Sequence, residues 1–179
     1  MTSEPDPSDG AVLRIPVGGP ESFDDFYRRE HRPLLRLAWT LVGRRDLAEE
    51  LVQDTMLSVH RRWGAVRGYD SPGAFARRVL LNGAASAARR RVVERAALSR
   101  VQAMPTARPD EAPPDDELWS AMRALPARQA QTVALHYLED RSVADIATVL
   151  GIAESTVKVH LHRGRLALAR SLHHQDGAG

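Results

Sequence analysis

Ser155, Lys158, Val159, His162 and Arg163 fall within nine residues. At about 100° per residue on a helix they share one face. Together they offer what a base edge and a phosphate accept: two cations, a hydroxyl, an imidazole and an apolar contact. The opposite face of the same stretch, Val157, Leu161, Gly164 and Leu168, is apolar or bare. A helix packed by the second set presents the first to a DNA major groove. The competing reading is an amphipathic hairpin in a helical core with a solvated cationic face.

Other chemistry is poorly provided for. The chain has no cysteine, which removes disulfides, thiolate nucleophiles and cysteine-ligated zinc together. His160 and His162, at i,i+2 on a helix, point their rings apart, and neither they nor His173 and His174 are joined by a carboxylate or cysteine that completes a ligand set. No metal and no cofactor is expected. Neither a glycine-rich phosphate loop nor a Gly-x-Ser-x-Gly elbow is present, so no catalysis is expected either.

The elements that must position the cationic face can be read just upstream. Ser142 with Asp145 three residues on caps a short helix whose Val143, Ile146, Ala147 and Leu150 share a face, and Gly151 sits where a left-handed turn needs no Cβ. Two short helices broken at one glycine are a helix-turn-helix. The second helix has Ala153 at its N-cap, which carries no side-chain oxygen for an orphan amide.

The 179 residues suit two small helical modules, and a hydrophobic fraction of 43% excludes wholesale disorder. No apolar run approaches the ~20 residues of a membrane helix. The first ten residues lack a basic start and an apolar core, so neither a signal peptide nor membrane contact is expected, and a cytoplasmic location is. Net charge is only +2, yet charge is segregated. Arg77 to Arg100 holds seven arginines against Glu94, and 153–172 holds Lys158, Arg163, Arg165 and Arg170 against Glu154. Between them, residues 102–118 hold five acids against Arg108. Two basic patches in separate modules suit a protein that touches a polyanion at two places.

Residues 1–20, with four prolines and no periodicity, read as a flexible tail. Ser22 and Asp25 open a first helix whose apolar face includes Phe23, Phe26, Leu34, Leu37 and Ala38; Gly43 stops it, and Pro33 is expected to bend or interrupt it. A second helix from about Asp46 to Trp63 places Leu47, Ala48, Leu51, Val52, Thr55 and Val59 inward. Its other side carries Glu49, Glu50, Gln53, Met56, Leu57, His60 and Arg61, for which a neighbouring helix or a protein partner is the expected cover. Residues 64–73 read as a loop, and 74–98 as a third helix of small residues and arginine. Residues 101–114, rich in proline and acidic side chains, read as a linker. The second module runs over 115–173, with Leu118, Trp119, Met122 and Leu125 on one helix and Pro126 opening the next at its first position; 174–179 is a short tail. The expected fold is all-α: two small helical domains joined by a Pro-rich acidic linker, the second carrying the helix-turn-helix.

With both modules in view, the chain resembles a bacterial RNA polymerase sigma factor of the extracytoplasmic-function group. The resemblance lies in Ala48-Glu-Glu-Leu-Val-Gln-Asp-Thr-Met-Leu57, in the helix from Phe75 to Arg91, and in Leu125 to Glu139 followed by Val143 to Ala147 and Ser155 to Arg165. It covers about 22–172 and implies sigma region 2 over 21–100 and sigma region 4 over 115–173. It further implies that Glu50, Gln53, Asp54 and Leu57 dock on core RNA polymerase. Phe75, Arg77, Arg78, Asn82, Arg89, Arg90 and Arg91 would hold the melted start-proximal promoter element. Lys158, Val159, His162 and Arg163 would read the distal promoter element, with Ser155, Thr156, His160 and Arg165 on its phosphates. Promoter DNA, core RNA polymerase and a separate anti-sigma factor are the implied partners. The polymerase, not this chain, would be the enzyme. The alternative is a stand-alone helix-turn-helix regulator that binds an operator by itself.

Overall fold

Ser22 begins the first helix as its spacing predicts. Its Oγ accepts the Asp25 N–H at 3.2 Å and donates to Asp25 Oδ2 at 2.7 Å. The computed structural model describes residues 21–98 and 117–176, and among these it contains eight helices and no strand. The expected tail over 1–20, the linker over 101–114 and the side chains of Arg91, His173 and His174 lie outside the described residues. Helix α1 spans Phe23–Val42 and ends on Gly43 at φ 69°, whose N–H bonds the Trp39 carbonyl. Pro33 neither breaks nor ends α1. A helix-interior proline costs about 3 kcal/mol, which the complete burial of Phe26, Leu34 and Leu37 offsets at about 1.5–3 kcal/mol each.

Helix α2 spans Arg45–Arg61, starting one residue earlier and ending two residues earlier than predicted. Its inward set is largely as expected, but Met56 is only 4% exposed and belongs to the core. The reason is that α2 packs against both α1 and α4, so its covered arc is wider than one stripe. Leu57, next along, stays 52% exposed. The predicted loop is shorter than read: Trp63–Val66 forms a helical turn, α3, and α4 already starts at Pro72 and runs to Leu98. Ser71 supplies the start signal, its Oγ accepting the Ala74 N–H at 3.2 Å, with proline at the first helical position where its missing donor costs nothing.

The second module opens with α5 (Glu117–Ala124) and α6 (Ala127–Tyr137). Pro126 caps α6 rather than opening it, one residue before the predicted place. Helix α7 (Val143–Leu150) has a complete capping box between Ser142 and Asp145 and ends on Gly151 at φ 65°. Asp145 titrates below its usual value because the Ser142 side chain and backbone donate to it. Helix α8 (Glu154–Asp176) follows after a three-residue turn and continues past the predicted end of the module at 173. Its Val157 N–H bonds the Ala153 carbonyl, which places Ala153 at the N-cap.

The two modules share one continuous apolar cluster, from Phe26, Leu37 and Leu80 in the first to Leu135, Ile146 and Val157 in the second. Helix α1 meets α5 and α6, and α4 meets α7.

Candidate nucleic-acid interface

The buried and exposed faces of α8 separate as their spacing predicts. Val157 is fully buried, Leu161 is 7% exposed and Gly164 is buried, while Ser155, Lys158, Val159, His162, Arg163 and Arg165 are exposed. Thr156 and His160 are half-buried, and His160 Nδ1 is turned inward without a hydrogen bond among the described residues. Helix α7 braces this face from behind: Ile146 and Val149 are buried, and the fixed turn at Gly151 sets the angle between the two helices. An exposed Val159 among cations leaves an apolar contact for a base methyl. A groove of about 590 Å³ runs beside the turn, between Arg78, Thr148, Ile152 and Glu154.

The residues of α4 divide into two groups. Arg89 and Arg90 are exposed, and Arg89 Nη2 donates to Ser86 Oγ at 2.9 Å. Phe75 is half-buried, its ring edge-on to Tyr69 at 5.7 Å between centroids, so the 67–71 connection holds an aromatic pair at the start of α4. Arg77, by contrast, is 3% exposed in this arrangement. Its Nε donates to Glu139 Oε2 at 2.6 Å, and its Nη1 donates to Glu30 Oε2 at 2.7 Å and to the Gly73 carbonyl at 3.1 Å. Arg78 is exposed but engaged: Nε donates to the Val149 carbonyl at 3.0 Å and Nη2 to that of Thr148. These are the unsatisfied carbonyls at the end of α7, where a cation also meets the negative end of the helix dipole. Asn82 is exposed and lines a small polar pocket of about 170 Å³ with Arg78, Arg128 and Gly151. Close by, Gln131 Nε2 donates to the Leu81 carbonyl at 2.9 Å.

Helix α2 presents Glu50, Gln53, Asp54 and Leu57 together to solvent. Beside them, Phe23, Tyr27 and His31 of α1 and Met56 and His60 of α2 line an apolar groove of about 430 Å³. The α1 half of this groove went unnoticed in the sequence, although Phe23, Tyr27 and His31 repeat at four-residue spacing and so must stack along one side of a helix. Glu30, Gln131 and Glu139 were also unforeseen, since their partners lie 47 to 62 residues away and no local pattern announces them.

The Sigma-70 region 2 family matches residues 26–93 and the Sigma-70, region 4 family matches residues 115–168. The chain is 32% identical over 176 residues to the ECF RNA polymerase sigma factor SigM of Mycobacterium tuberculosis, a match covering 92% of this chain and 85% of that one. It is 28% identical over 163 residues to the RNA polymerase sigma-E factor of Streptomyces coelicolor, covering 86% and 88%. Among solved structures, the fold is similar to that seen in the co-crystal structure of the sigma factor RpoE with the anti-sigma factor NepR from Bartonella quintana, with TM-score 0.68, 24% identity, and coverage of 84% of this chain and 96% of that one. It is likewise similar to the structure of CnrH with the cytosolic domain of CnrY, with TM-score 0.60, 22% identity, and coverage of 87% and 90%. An all-helical chain carrying region 2 on α1–α4 and region 4 on α5–α8, in the same order as its relatives and along most of their length, belongs to the ECF RNA polymerase sigma factors.

Proposed function

We propose that this chain docks on bacterial core RNA polymerase through the exposed face of α2 and directs it to promoters by reading DNA at two places. Glu50, Gln53 and Asp54 offer carboxylates and an amide to a basic surface of the polymerase, with Leu57 and the adjoining groove as the apolar centre. Lys158, Val159, His162 and Arg163 read the distal promoter element in the major groove while Ser155, Thr156, His160 and Arg165 meet phosphates. Phe75, Asn82 and the α4 arginines Arg77, Arg78, Arg89, Arg90 and Arg91 hold the start-proximal element once it is single-stranded, by ring stacking and charge. The catalytic chemistry belongs to the polymerase, and the chain supplies specificity.

The observation that carries this reading is the joint exposure of two different faces: an acidic-apolar one on α2 and a cationic one on a capped helix-turn-helix. A stand-alone regulator requires only the second. A separate anti-sigma factor is the expected restraint in a cytoplasmic setting, in keeping with the complexes of RpoE with NepR and CnrH with the cytosolic domain of CnrY. The test is run-off transcription by core polymerase on a promoter-fragment library. Transcripts that require this chain and vanish in the Lys158→Ala, Arg163→Ala double variant support the reading. Tight duplex binding by the chain alone, with no redirection of polymerase, overturns it in favour of the stand-alone regulator.

A further inference from the structure

We propose that Arg77, clamped between Glu30 of α1 and Glu139 of the α6–α7 connection, latches the two modules of the free chain together, and that single-stranded DNA competes with Glu139 for its guanidinium. The second half of this inference rests on the start-proximal DNA reading of α4 given above; the first half does not.

The geometry points both ways from one side chain. Arg77 is bound within its own module by Glu30 and the Gly73 carbonyl, and across the seam by Glu139, with the three side chains between 4% and 10% exposed. Arg78 and Gln131 add hydrogen bonds across the same seam, to the end of α7 and to the Leu81 carbonyl. Three of the residues that would hold a melted strand, Arg77, Arg78 and Asn82, therefore line the seam when the modules are closed. Arg77 cannot meet DNA while it holds Glu139, and closure keeps Arg78 engaged with the end of α7. The cationic face of α8 is exposed in the same arrangement, as are Arg89 and Arg90 of α4, so closure withholds Arg77 from DNA and spares the helix-turn-helix.

The chemistry of the clamp suits release. A buried ion pair gives little net stabilisation compared with an apolar contact of the same size, but losing one partner leaves a charge stranded. Such a pair is held in place until a second anion of similar chemistry takes over. Glu139 is also incompletely satisfied: Oε2 receives Arg77, with Arg141 Nε further off at 3.8 Å, while Oε1 is buried without a hydrogen bond among the described residues. A phosphate oxygen accepts from arginine in the same fork geometry as a carboxylate, and it is solvated when not in use. Exchange of Glu139 for phosphate thus replaces one charge-assisted bond with another while opening the seam.

The absence of native cysteine allows a direct measurement on the full chain. Donor and acceptor dyes on Arg36→Cys of α1 and Arg170→Cys of α8, both exposed positions, report the separation of the modules by energy transfer. Glu139→Ala is expected to lower the transfer and to raise affinity for a single-stranded oligonucleotide about tenfold, the gain when a competent state goes from a tenth to nearly all of the population. Affinity for duplex DNA carrying the distal element should be unchanged. Added oligonucleotide should also lower the transfer in the otherwise unaltered labelled chain, a measurement that stands even if Glu139→Ala fails to fold. Transfer unmoved by both the substitution and the oligonucleotide overturns the latch. Transfer lowered by the substitution with no gain in single-strand binding keeps the latch and overturns the competition, whereas no single-strand binding by either chain overturns the DNA reading of α4.

Discussion

A Cβ built on Gly164 of α8 falls 2.7 Å from Val133 Cγ2 of α6. The contact sets how closely α8 lies against α6, and it rules out any side chain at this position without movement. Val133 is 2% exposed, and a β-branched residue in a helix has one strongly preferred rotamer, so it cannot swing aside. Alanine in place of glycine raises helix propensity by about 1 kcal/mol, whereas overpacking costs about 1–3 kcal/mol. Gly164→Ala is therefore expected to lower the thermal midpoint and weaken duplex binding. Adding Val133→Ala in the same chain should recover part of the binding loss. A single variant as stable as the parent would show that α6 and α8 shift apart freely.

Lys158 and Arg163 are exposed and make no contribution to the core, so each alanine variant should melt like the parent. Against duplex DNA with the distal element, each is expected to lose about 1–3 kcal/mol, or roughly five- to 150-fold in affinity, through a lost base contact. Arg165→Ala should behave differently, weakening all sequences alike and reducing the salt slope by about one. Titrations at several salt concentrations on matched and scrambled duplexes separate the two classes.

The helix-turn-helix was legible because its signals are local. The cap joins Ser142 to a residue three positions on, and the turn at Gly151 needs a glycine wherever the chain goes next. Helix α4 starts at Pro72 after Ser71, yet a serine-proline pair also begins turns, so local sequence puts the boundary two residues late. Met56 lies on the outer side of a helical wheel, which fixes angles around α2 but not how many neighbours surround it, and the neighbouring helix expected as one cover of that side buries it. Arg77 shows the deeper limit. An arginine in an arginine-rich helix reads as solvated or DNA-facing, and only the approach of Glu30 and Glu139 from distant parts of the chain makes it a buried bridge.

Leu57 offers a test of docking that leaves folding aside. At 52% exposure beside the apolar groove, its truncation to alanine opens no cavity, and the thermal midpoint should stay within about 0.5 kcal/mol equivalent of the parent. An apolar residue at the centre of an interface commonly costs more than 1 kcal/mol when truncated. Leu57→Ala is expected to bind core polymerase at least about fivefold more weakly, measured by competition with the parent chain, while duplex DNA binding is untouched. Equal competition by variant and parent would remove Leu57 and its groove from the docking face.

The Glu30 carboxyl makes the stability of this fold sensitive to acid. Burial alone would favour its protonated form, but the charge and hydrogen bond of Arg77, together with those of Arg29, outweigh this and hold it below its usual value of 4.5. Arg77 is likewise opposed by burial yet shifted upward by Glu139 and Glu30, so it stays charged throughout any accessible range. A carboxyl whose value is depressed on folding contributes stability above the unfolded value, and that contribution disappears as pH falls through the folded one. Glu30→Gln keeps an acceptor for Arg77 but removes the charge, with an expected loss of about 1.5–3 kcal/mol near neutral pH. The two melting curves should then converge as pH drops below 4.5, since acid performs the same neutralisation on the parent. Parallel curves down to the lowest pH at which both chains fold would mean that the Glu30 charge contributes nothing to the folded state.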